Sequence, residues 1–173
     1  MIIVFTGNGK GKTTAALGQA LRAVGDGNKV LMVQFIKGPW KSGEDISQKY
    51  LSPYFHIVKK GKGFVGIGHD QHPFETHVQA AVDGLHYAIE QAKTDTWNVI
   101  ILDEIWNALE LQLLSSQDID RALAEIIPHV DHLILTGRGC PQAFIDKADL
   151  VTEMREIKHP FSQGTYGTQG VEY

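Results

Sequence analysis

Short apolar runs alternate with longer amphipathic ones along almost the whole chain. Met1 to Thr6 reads MIIVFT, a β-branched run suited to a strand buried on both faces. TTAALGQALRAVG follows, with Ala15, Ala16, Leu17, Ala20, Leu21 and Val24 on a helical period, and it stops at Gly25 in front of GDGN. Lys29 to Ile36, KVLMVQFI, is a second apolar strand, and FHIVKKG from Phe55 to Gly61 is a weaker third. GKGFVGIGHDQHP is too rich in glycine to be regular and reads as a long loop. Thr76 to Lys93 places Val78, Ala81, Val82, Leu85, Ala88, Ile89 and Ala92 at helical spacing. Asn98 to Leu102 is again a strand; IWNALELQLL and DIDRALAEII read as helices, HLILTG as a strand, PQAFIDKA as a short helix and DLVTEMREI as a last strand.

This βαβα order with buried strands predicts an α/β fold, a mostly parallel sheet covered by helices that binds its ligands at the carboxyl ends of the strands. A chain of 173 residues is long enough to bury about 70% of its unfolded surface around one core, so a single domain over residues 1–173 is expected, with a polar tail from Lys158. A net charge of −4 lacks the basic bias of a nucleic-acid binder. Cys140 is the single cysteine, which rules out an intrachain disulfide, and the sequence has neither a signal peptide nor a long apolar run. A cytoplasmic protein with no nucleic-acid or membrane partner is expected.

The chemistry begins where the first strand ends, in TGNGKGKTT. A loop that wraps a triphosphate points backbone N–H groups inward at a helix N-terminus, and Gly7, Gly9 and Gly11 supply the freedom for it. In the GxxxxGK[ST] pattern Lys12 reaches the β- and γ-phosphates and Thr13 places its hydroxyl on Mg²⁺; the pattern's first glycine falls on Thr6 here. The alternative is a glycine-rich turn with incidental lysines, and Lys10 fits a solvated loop as well as a phosphate contact. With strand before and helix after, the reading is a P-loop NTPase-like fold. VIILDEI puts Asp103 and Glu104 at the end of another apolar strand, a Walker-B arrangement in which the aspartate holds the Mg²⁺ shell and the glutamate often polarises water. An acid pair favoured by the dipole of the next helix is the competing account.

TGNGKGKTTAA, VQFIKG, VIILDEI, LTGRGCP and ADLVTEMREIKHPF with GTQGVEY together resemble the ATP:corrinoid adenosyltransferases of the cobalamin pathway, from Ile2 to Tyr173. The resemblance implies transfer of the 5′-deoxyadenosyl group of ATP to Co(I) of a corrinoid, with release of triphosphate and with Mg²⁺ bound. Co(I) is itself a strong nucleophile, so such an enzyme needs neither a protein nucleophile nor a general base; it holds C5′ in line with cobalt and stabilises the departing triphosphate. Carried over by motif, Gly7, Asn8, Gly9, Lys10, Gly11, Lys12, Thr13 and Thr14 would bind the triphosphate, and Arg138 of TGRG would contact the nucleotide. Thr13 and Glu104 would be Mg²⁺ ligands with Asp103 close by, and Lys12 and Glu104 the catalytic residues.

The family's corrin-facing loop carries GF and then a tryptophan, an aromatic pair that keeps the lower face of cobalt free. Phe64 is retained as the corrinoid-binding candidate, and Gly66 stands where the tryptophan would fall. His69, His72 and His77 with Asp70 have the composition of a metal cluster but are read as ordinary histidines, and Lys59, Lys60 and Lys62 as a solvated charge run. His159 belongs to the tail motif. The resemblance also implies a homodimer and an electron donor for cobalt; members of the family often carry an N-terminal extension that folds over the site, and with the first strand entered at Ile2 any lid is expected from elsewhere. The rival readings are a P-loop phosphotransferase or ATPase, in which Glu104 activates water or an acceptor at the γ-phosphate, and a non-catalytic ATP- or corrinoid-binding module.

Overall fold

A computed structural model describes residues 1–68, 70–160, 164, 170 and 171. Six strands, all parallel, form one sheet in the order β3-β2-β4-β5-β1-β6. They are β1 (Ile2–Thr6), β2 (Val30–Gln34), β3 (Phe55–Lys59), β4 (Val99–Asp103), β5 (His132–Thr136) and β6 (Leu150–Glu153). The helices are α1 (Lys12–Gly25), α2 (Gly43–Leu51), α3 (Phe74–Ala92), α4 (Ile105–Glu110), α5 (Ser116–Ile126) and α6 (Gln142–Ile145). Parallel strands need crossovers, and these crossovers put helices over both faces, which is why β2 and β4 are buried at every position.

Alternate residues of the strands enter different cores, except in β6, which is exposed along its length. Ile3, Phe5, Met32, Ile57, Ile101 and Ile134 pack on Ala16 and Ala20 of α1, while Val4, Leu31, Val33, Ile100, Leu102, Leu133 and Leu135 pack on α3, α4 and α5. The two alanines, fully buried, let α1 lie close to the sheet. The carboxyl ends of β1, β2, β4 and β5 are in register: Phe5 pairs with Thr136 and Gln34 with Asp103. The residues just beyond them therefore lie together along one edge of the molecule.

The expected α/β order holds, with three local differences. Helix α2 is not marked by the apolar periodicity, because it has no buried residue; the capping box of Ser42 and Asp45 starts it instead. IWNALELQLL is helical only to Glu110, since Gln112 takes φ 58° and the Leu113 amide turns back to the Ala108 carbonyl. The last strand stops at Glu153, short of the expected Ile157. Met154 donates to the Thr6 carbonyl at 2.8 Å and accepts from the Gly9 amide at 2.7 Å, which bends the chain over the glycine loop.

Candidate nucleotide and metal site

A cleft of about 690 Å³ opens at the carboxyl edge of the sheet. Its wall brings together Asn8, Gly9, Lys10, Gly11, Lys12, Thr13 and Thr14 with Glu104, Arg138 and Phe64, segments far apart in sequence. Among the described residues no side chain caps the start of α1, and its first turn contains no acid, so its backbone donors and positive dipole end meet the cleft. Lys12 rests with its Nζ donating to the Gly9 carbonyl at 2.7 Å. Its pKa is lowered, first by burial and then by the Arg138 charge; both effects favour an anion beside it.

Two of the loop glycines serve a purpose other than freeing amides for a ligand. A Cβ on Gly7 would meet the Met154 carbonyl oxygen at 2.5 Å, and one on Gly9 would meet the Arg155 carbonyl carbon at 2.7 Å. The glycines admit the segment after β6, and the Gly9 amide is committed to Met154. Gly7 is absent from the cleft wall. Thr6, at the pattern's first glycine position, is buried and its hydroxyl accepts from the Cys140 amide at 3.2 Å, tying the glycine loop to the loop after β5.

Asp103 is fully buried and accepts three hydrogen bonds: from Thr13 Oγ1 at 2.9 Å, Thr136 Oγ1 at 2.7 Å and Gln34 Nε2 at 3.1 Å. Burial outweighs these donors and moves its pKa upward. The next residue, Glu104, holds a left-handed backbone at φ 64°, uncommon for a residue with a side chain, and its amide donates to Thr136 Oγ1 at 2.9 Å. Burial pushes its carboxyl up to about 7 and Asp103 adds to the shift, against Lys37, Lys12 and Arg138. Thr13, Asp103 and Glu104 make an all-oxygen set beside the loop, the donor chemistry that Mg²⁺ takes. The residues present fit that ion.

Several residues of the site take no role from the sequence, although Lys37, Glu156 and His159 lie inside the quoted strings. Lys37 follows β2 and pairs with Glu44 of α2, both lining the cleft; that contact, against the cost of burial, holds the Glu44 carboxyl below its usual range. Thr136 and Gln34 lie inside the quoted strings, yet only the strand register sets them on Asp103. Asn107 accepts the Arg138 amide at 3.1 Å and also lines the cleft, as do Glu156 and His159.

The presumed solvated lysines are not solvated throughout. Lys59 pairs with Asp45 at 2.5 Å and Lys60 lies 4.3 Å from the Tyr87 ring centre. His77 is buried against Asp70 at 3.0 Å, and His72 meets its ring edge-on. Among the described residues no group of three or more His, Cys, Asp or Glu could hold a metal. His69, Phe161 and most of GTQGVEY lie outside the described residues.

A glycine-rich strand-to-helix loop, an acid at the end of a neighbouring strand and a parallel sheet in this order define a P-loop nucleotide-binding protein. The family model described as ATP:corrinoid adenosyltransferase BtuR/CobO/CobP matches residues 1–173, and the chain belongs to that family. It is 39% identical over 173 residues to a corrinoid adenosyltransferase of Escherichia coli, covering all of this chain and 85% of the relative. A corrinoid adenosyltransferase of Sinorhizobium sp. is 37% identical over 174 residues, with 80% of it covered, and corrinoid adenosyltransferase CobA of Salmonella typhimurium is 37% identical over 173 residues, with 85% covered.

Proposed function

We propose that the cleft binds MgATP with C5′ toward the loop that carries Phe64, and that the protein transfers the 5′-deoxyadenosyl group to the Co(I) of a corrinoid. Cobalt forms a bond to C5′ as the C5′–O bond breaks; the electron pair leaves on the triphosphate, and cobalt passes formally from Co(I) to Co(III). The observation that carries this reading is a single cavity lined both by the triphosphate loop and by an exposed aromatic side chain. Membership of the family supports the reaction class.

In this reading the N-terminus of α1, Lys12, Thr14 and Arg138 hold the triphosphate and stabilise its charge as it departs. Thr13 and Glu104 would hold Mg²⁺, with Asp103 fixing the Thr13 hydroxyl from behind; the ion would neutralise phosphate oxygens of the leaving group. Electrons for cobalt would come from a separate donor, and the working form would be a cytoplasmic homodimer.

The ADP-forming alternative draws on Glu104, whose carboxyl near 7 suits a base that activates water. Phosphorus NMR separates the two. With chemically reduced corrinoid, ATP and Mg²⁺ under anaerobic conditions, triphosphate should form one-to-one with a light-sensitive alkylcobalt product. ADP and phosphate formed equally well without corrinoid would overturn the proposal and establish the ATPase.

A further inference from the structure

Gly66, where the resemblance leads one to look for a tryptophan, has φ 68°, and among the described residues nothing lies within 4 Å of where its Cβ would be. A tryptophan does stand close by, contributed by a different segment. Trp40, in the stretch between β2 and α2, meets the Phe64 ring with centroids 5.8 Å apart and planes tilted by 36°. Both side chains are 61% exposed. We propose that Trp40 is a corrinoid-positioning residue, forming with Phe64 an aromatic bed for the corrin ring beside the nucleotide cleft.

The ring of Trp40 is seated by backbone. A Cβ on Gly38 would come within 2.7 Å of it and one on Gly63 within 2.8 Å, so both positions require glycine while the indole lies over them. Gly63 has φ 109° and its amide donates to the Ile36 carbonyl at 3.1 Å, which joins the Phe64 loop to the stretch after β2. The main chain at Trp40 is also fixed: its carbonyl accepts from Lys59 Nζ at 2.7 Å, and the same ammonium pairs with Asp45 in the capping box of α2.

A large ring held by fixed backbone, yet mostly in water, contributes little to the core. Water-exposed aromatic surface of this kind stabilises a protein only when something covers it, and rigid aromatics lose little entropy when that happens. Continuity with the cleft identifies what covers it: Phe64 is part of the cleft wall and Trp40 extends the same surface. The corrin macrocycle is broad, nearly flat and apolar on its faces, which matches an aromatic pair better than any part of a triphosphate does. The opposite rim of Phe64's loop is held by Asp70, which accepts the Gly66 amide at 2.8 Å and the His72 amide at 3.0 Å and pairs with His77 of α3.

This inference rests on the corrinoid-adenosylating reading, and the test separates the two. Cob(II)alamin is titrated by its visible spectrum into the full-length protein saturated with MgATP, for wild type, Trp40→Ala and Trp40→Phe, with ATP affinity and melting temperature measured alongside. Trp40→Ala should weaken corrinoid binding by about 10-fold or more, the scale of a buried aromatic contact at an interface. ATP affinity and melting temperature should stay at wild-type values, and Trp40→Phe should recover most of the loss. Wild-type corrinoid binding in Trp40→Ala, or a parallel loss of ATP affinity, would overturn the assignment while leaving the reaction intact. A wild-type protein that binds no cob(II)alamin but hydrolyses ATP would overturn the reaction and this inference with it.

Discussion

Glu104 is where local strain and charge coincide. It occupies a backbone conformation that side-chain-bearing residues avoid and sits, half-buried at the cleft wall, next to a fully buried aspartate, so in the free protein two carboxyls share a site. Its raised pKa sets the sign of a pH effect. Between the ordinary value of 4.5 and about 7 the native state keeps a proton that the unfolded chain has released. The contribution of this group to stability is therefore present at low pH and is lost as pH rises through that window, by about 3 kcal/mol in all. Urea unfolding of the nucleotide-free protein should show the decline, and Glu104→Gln should flatten it and raise stability at pH 8. The same variant should raise the Mg²⁺ concentration needed for turnover; an unaltered requirement would remove Glu104 from the metal shell.

Helix α1 shows how one element carries both packing and binding. Its inner face is made small by Ala16 and Ala20, which fixes the height of the helix above the sheet and hence the position of the loop that precedes it. Ala16→Leu should overpack that face, lowering stability by about 1–3 kcal/mol and reducing ATP affinity with it. Gly18 in the same helix is exposed, and a methyl group there meets nothing within 4 Å. Gly18→Ala should then stabilise the protein by about 0.5–1 kcal/mol and leave ATP affinity unchanged. Thermal melts and nucleotide titrations on the pair distinguish a helix that positions the loop from one that merely precedes it.

The cleft is assembled by the molecule as a whole, because its walls come from the segments after β1, β2, β3, β4 and β5 and from the chain beyond β6. A ligand bound there stabilises all of these against unfolding together. MgATP at a hundred times its dissociation constant should stabilise the native state by about 2.7 kcal/mol, which for a chain of this size is roughly 5–10 °C in melting temperature. Lys12→Ala removes a charge-assisted contact, so affinity should fall by about 2 kcal/mol, or roughly 30-fold. At the same ATP concentration the stabilisation should then shrink to about 0.9 kcal/mol. An undiminished melting shift in Lys12→Ala would show that Lys12 does not face the triphosphate.

Periodicity and loop chemistry are local properties, and what depends on them is legible in the order of residues: the βαβα alternation, the glycine loop opening α1, and Asp103 with Glu104 at the end of an apolar strand. The limits of that information are physical as well. Helix α2 has no fully buried residue, only Leu51 packing partly on the core, so no apolar stripe announced it; β6 ends early because of hydrogen bonds to Thr6 and Gly9, residues almost a whole chain away. Thr136 and Gln34 became partners of Asp103 through strand register, and Lys37 with Glu44 reached the cleft through the placement of α2. Tertiary structure alone decided that an aromatic partner for Phe64 would come from Trp40, since contact across the space between two loops leaves no trace in the spacing of residues along either one.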